Sequence, residues 1–162
     1  MDADALQTYF AAERLTGAIL AIYGVVILGA AAYLHHTHTG AFMWGLVVPL
    51  GLLGLGAVVG GSVLAIKTGP QLDALIALAT PELLAQELPR MQKVNANWVW
   101  LKSTWTVLIA ASLVVLWTVK RDGANGVALA FLVAASSAMV LDVFAERRAR
   151  VYTAALEQHA DG

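Results

Sequence analysis

Four stretches of about twenty apolar residues, each closed by polar or helix-breaking residues, leave this chain little choice of fold. A bilayer core offers no water to backbone N–H and C=O groups. A run of that length must therefore satisfy them within itself, as an α-helix. The stretches fall at about residues 13–34, 41–66, 98–119 and 125–146. The expected fold is all-α, an integral membrane four-helix bundle in a single transmembrane domain over 1–162, because the spans use most of the 162 residues.

Composition agrees with that placement. Charged residues make up 13% of the chain and hydrophobic ones 59%, against roughly 25% charged in an average soluble domain. A net charge of −1 argues against nucleic acid as a partner. With no cysteine there is no disulfide, thiolate metal site, iron–sulfur cluster or cysteine nucleophile. Ala30-Ala31-Ala32 resembles a cleavage site, but the first stretch follows Glu13-Arg14 and exceeds the ~7–15 apolar residues of a signal sequence. It is expected to be a retained span.

Along the chain, Asp4 and Gln7 have the spacing of a helix N-cap and its third-position partner. A helix is expected from near Ala5 to about Leu34, followed by a polar loop from His35 to Gly40. Lys67-Thr68-Gly69-Pro70 should end the second span, with Pro49 kinking it. Residues 70–89 alternate Leu72, Leu75, Ile76, Leu83, Leu84 and Leu88 with Asp73, Glu82, Gln86 and Glu87 at helical spacing. Thr80-Pro81-Glu82 reads as a cap, a first-position proline and a first-turn acid. Two short amphipathic interfacial helices broken at Thr80 are the expectation. Pro89 should open a helix running from Arg90 to Val119, with Trp98, Trp100 and Trp105 in an aromatic belt. Both halves share one plan (long helix, short outer loop, Ala/Gly-rich span), which admits a parallel repeat despite poor residue identity.

Lysine and arginine set the orientation. Arg14, Lys67, Arg90, Lys93, Lys102, Arg147, Arg148 and Arg150 fall on the side of the termini, and only Lys120 and Arg121 on the other. Under the positive-inside rule both termini are cytoplasmic and the protein is multi-pass in the inner membrane.

Ionisable residues in or near a span are costly and are functional candidates by default. Glu13, Arg14, Lys102, Asp142 and Glu146 all fall at the inner ends of their spans. They can form a proton or cation relay, or a structural ion-pair network such as Lys102 with Asp142. The structural alternative is favoured, since no acid sits at the bilayer midplane and the opposite leaflet lacks polar stepping stones. Thr16, Ser112, Ser136 and Ser137 are the mid-span hydroxyls, of a kind that often bonds its own helix. His35, His36 and His38 are weak metal candidates, because one short loop rarely completes a site. No cofactor is implied.

Gly56-x-x-x-Gly60 has the spacing of close helix packing, and Gly17 and Gly24 share a small-residue stripe with Glu13. No nucleophile–base pair is visible. The expected function is non-catalytic: a homo-oligomer, or an accessory or scaffolding subunit of a membrane complex, with the lipid bilayer and other membrane subunits as partners. The alternative is an ion- or proton-conducting channel or transporter formed by an oligomer.

Overall fold

The computed structural model describes residues 3–160, with side chains from Ala5 onward. Four helices follow one another: α1 (Ala3–Thr37), α2 (Ala41–Ile76), α3 (Thr80–Thr118) and α4 (Asp122–Ala160). All four are long and apolar enough to cross a membrane. The Asp4 side chain of the expected cap lies outside the described ones.

The short interfacial helices do not form as separate elements. Residues 70–76 continue α2 and residues 80–89 are the first turns of α3, with Pro70 and Pro89 inside their helices. An internal proline removes one backbone hydrogen bond and crowds the preceding turn. Here burial outweighs that cost. Leu75 is buried beyond Pro70, and Glu87 and Met91 are buried on either side of Pro89. The chain breaks only at residues 77–79, and Ala79 rather than Thr80 caps α3. The histidine loop is also shorter than expected, since α1 runs through His35 and His36 to Thr37. Gly40 then turns the chain with φ at +125°, a conformation that side-chain-bearing residues rarely adopt.

α1 packs along α2, α2 along α4, and α4 along α3, while α1 and α3 have no comparable contact. The first seam is closed by glycine. A Cβ on Gly17 would lie 2.7 Å from the Gly61 carbonyl oxygen, and one on Gly24 would lie 2.6 Å from that of Gly54. Only a missing side chain allows such an approach. In hydrocarbon, where apolar contact between helices gives no advantage over contact with lipid, this is how helices hold together. The α2–α4 seam repeats the device, with Gly45 against Gly123 and Gly126 against Phe42.

At the end that carries both termini, packing changes character. Leu6, Tyr9 and Phe10 of α1, Leu75 of α2, Leu83 and Met91 of α3, and Ala149, Tyr152 and Leu156 of α4 form one buried cluster. Tyr9 stacks on Tyr152 at 4.3 Å, and Phe10 meets both rings edge-on. α3 and α4, at 39 residues each, are about 58 Å long against a ~30 Å hydrocarbon core. The excess lets their ends build a four-helix cap beyond the apolar spans.

Candidate functional site

The five ionisable residues singled out from the sequence separate into three places. Lys102 on α3 reaches Glu146 on α4 with its ammonium 2.9 and 3.0 Å from the two carboxylate oxygens, and Arg150 adds a third contact at 2.6 Å. Glu146 is buried and Arg150 largely exposed. Lys102 therefore pairs with Glu146, not with Asp142. Asp142, one turn deeper on α4, accepts a hydrogen bond from the Trp105 indole N–H at 2.6 Å. Glu13 on α1 accepts one from the Tyr9 hydroxyl at 3.0 Å. Arg14 stands apart: it is exposed and lines a groove between α1 and α2 with Phe10, Thr68 and Leu72.

Glu13 and Asp142 come together as walls of one cavity of about 440 Å³ enclosed by all four helices. Most of its polar groups gather towards the cap: Tyr9, Glu13 and Thr16 from α1, Trp98 and Trp105 from α3, and Asp142 and Arg148 from α4, with Tyr23 of α1 farther along. Arg148 donates to the Thr16 hydroxyl at 2.6 Å, and that hydroxyl donates to the Ala12 carbonyl. Farther along, apart from Tyr23, the lining is apolar and includes Leu20, Ile27, Leu50, Leu108 and Phe131. Trp98 and Trp105 are one heptad apart and face inward into this space. Trp100 is largely exposed, so it alone of the three keeps the outward position of an aromatic belt.

No protein-family model matches the sequence, and no similar curated protein or solved structure is found. The site's chemistry rests on its own residues.

A second polar centre lies inside the cap. Glu87 is 1% exposed and held by Arg90 through one guanidinium edge, its Nη2 and Nε donating to the two carboxylate oxygens at 2.5 and 2.8 Å. Arg90 also lies over the Phe10 ring, 5.9 Å from its centroid. The hydrogen-bonded Glu87 carboxylate holds the Arg90 guanidinium above its usual range. Burial, with the neighbouring Glu13 charge, lifts the Tyr9 phenol well above the usual tyrosine range, and burial does the same for Tyr152. Asn95 on α3 bonds Thr153 on α4 at 2.8 Å just beneath.

Glu87, Arg90 and Arg148 were not among the sequence candidates. Glu87 and Arg90 stand three residues apart, the spacing of a helical pair. Arg148 shares a helical face with Ala145 and Leu141, beside Asp142 in the same lining. The three loop-end histidines do not converge. His35 packs edge-on against Trp44, and the Thr37 hydroxyl meets His38 Nδ1 at 2.7 Å. Among the described residues no group of three His, Cys, Asp or Glu could hold a metal ion. Of the expected packing glycines, Gly17 and Gly24 lie in the α1–α2 seam, whereas a Cβ on Gly56 or Gly60 would meet nothing within 4 Å.

Proposed function

We propose that the chain is a non-catalytic integral membrane protein that acts by assembly, with copies of itself or with other membrane subunits, and that both termini face the cytoplasm. The observation behind this is how its ionisable side chains are used. Lys102 and Arg150 are engaged by Glu146, Arg90 by Glu87, Glu13 by Tyr9, and Asp142 by Trp105. Two of these contacts, Lys102 with Glu146 and Trp105 with Asp142, join α3 to α4 and fix one helix relative to the other, as a scaffold requires. Meanwhile α2 turns Gly56 and Gly60 outward with open space above them, where another helix can approach closely.

Ion or proton conduction is the second reading, favoured by Glu13 and Asp142 lining one cavity. Against it, the cavity beyond them has, besides Tyr23, apolar walls such as Ile27, Leu50 and Phe131, which offer a hydrated ion little.

Native mass spectrometry of protein gently extracted from its own membrane tests the assembly reading. A homo-oligomer or a stoichiometric foreign chain is expected, and a bare monomer would refute it. Conduction is tested in proteoliposomes, where an ion flux abolished by Asp142→Asn would put that reading in its place.

A further inference from the structure

We infer that the cavity between the four helices is a binding site for an amphipathic organic cation, an alkylammonium-like molecule that enters from the bilayer. The inference stands apart from the assembly reading, since the cavity is complete within one chain.

Size and shape come first. At about 440 Å³ the cavity is in the range of small-molecule sites. Apart from Tyr23, it is polar at one end and apolar along the rest, so it matches a molecule with a single polar head. The polar end lies beside the cap, where a head group entering at the membrane surface would stay near water while its tail runs along the spans. Charge then selects the head. Glu13 and Asp142 line the wall with one guanidinium, Arg148, so the lining carries one negative charge more than it neutralises when both acids are ionised. The Lys102–Glu146–Arg150 set is not part of that lining.

Among the described residues neither acid has a cation as its hydrogen-bond partner: Asp142 accepts from the Trp105 N–H and Glu13 from the Tyr9 hydroxyl. Neither carboxylate is in an ion pair among the described residues, so its charge is open to a cationic head. The same end is aromatic, with Tyr9, Trp98 and Trp105 in the wall, and aromatic faces attract ammonium groups. Access comes from the side, because α1 and α3 do not pack along one another as the other neighbouring helices do.

Tail-brominated probes read occupancy by quenching tryptophan. The protein in phosphatidylcholine nanodiscs is titrated with 11-bromoundecyltrimethylammonium, 11-bromoundecanoate and 11-bromoundecanol. The expected result is saturable quenching by the cation alone, displaced by unbrominated decyltrimethylammonium. Asp142→Asn keeps an acceptor for Trp105 and Glu13→Gln one for Tyr9. With folding verified by thermal scan, each should weaken the cation at least tenfold. Preference for the carboxylate would assign the pocket to an anionic amphiphile through Arg148 and overturn the proposal. Equal quenching by all three probes, or none that saturates, would make the cavity a slot for bilayer chains and overturn it too. So would full cation affinity in both folded variants.

Discussion

A carboxylate at 1% exposure, as Glu87 is, survives folding only with strong donors in place, and Arg90 supplies two of them. Removing the acid leaves a guanidinium, itself one-third exposed, against the Phe10 ring with nothing to neutralise it. Glu87→Ala should therefore lose roughly 2 kcal/mol of stability and Glu87→Gln less, read as thermal midpoints in mild detergent. Two midpoints equal to wild type would mean that the pair is ornamental. The stacked tyrosines of the same cap give a pH dependence with a definite sign. Tyr9 and Tyr152 titrate in the folded protein above the ordinary value of 10. Their contribution is thus fully present below about pH 10 and declines as pH rises beyond it. Wild type should lose thermal stability from pH 10 upward, and a Tyr9→Phe/Tyr152→Phe variant should lose less over that window. A parallel decline in both proteins would refute the assignment. None of this was evident from residue types alone. Glu87 looks like one more acid on the polar face of an amphipathic segment, and only the arrival of α1 and α4 on that face makes it interior.

Helix existence and type were legible because twenty apolar residues permit nothing else, but helix ends were not. Pro70 and Pro89 are strong local signals to stop, and both are overridden by contacts with residues distant in sequence, Leu75 with α1 and α4 and Met91 with Tyr152 and Leu156. The glycines show the same limit. Gly17, Gly24, Gly56 and Gly60 are equivalent as letters, yet the first two sit in a seam and the last two open outward. That difference is testable. Gly17→Leu would drive a side chain into the Gly61 carbonyl and the Ala65 backbone, and should lower the unfolding temperature steeply or abolish folded yield. Gly56→Leu should leave the monomer as stable as wild type but break association. A destabilised Gly56→Leu monomer, or an intact oligomer, would remove that face from the interface.

For the molecule as a whole, the proposed topology has an even number of crossings with both termini on one side, which the positive-inside rule would make the cytoplasm. The absence of cysteine makes this simple to check. Thr39→Cys, in the short loop after α1, should react with a membrane-impermeant maleimide on intact cells. Gln158→Cys near the end of α4 should react only after permeabilisation. The reverse pattern would invert the topology. The candidate site was half legible at this scale. Depth clustering in the sequence found Glu13 and Asp142, but it could not separate them from Lys102 and Glu146, which belong to a different contact. Nor could it foresee that Trp98 and Trp105 turn inward to share their cavity.

The order of helices across the bundle also dictates an order in time. α1 and α2 are neighbours in sequence and are closed by glycine pairs near at hand. They can zip together as soon as the second leaves the translocation machinery. Leu46 and Leu50 of α2 share a buried cluster with Ala31 of α1 and with Ala130, on the last helix to be made. Until then, that face of the first hairpin must be tolerated by lipid or shielded by an insertase. The newborn protein is thus a stable hairpin awaiting its second half, and a ribosome that stalls before α4 leaves an orphan with its central seam bare.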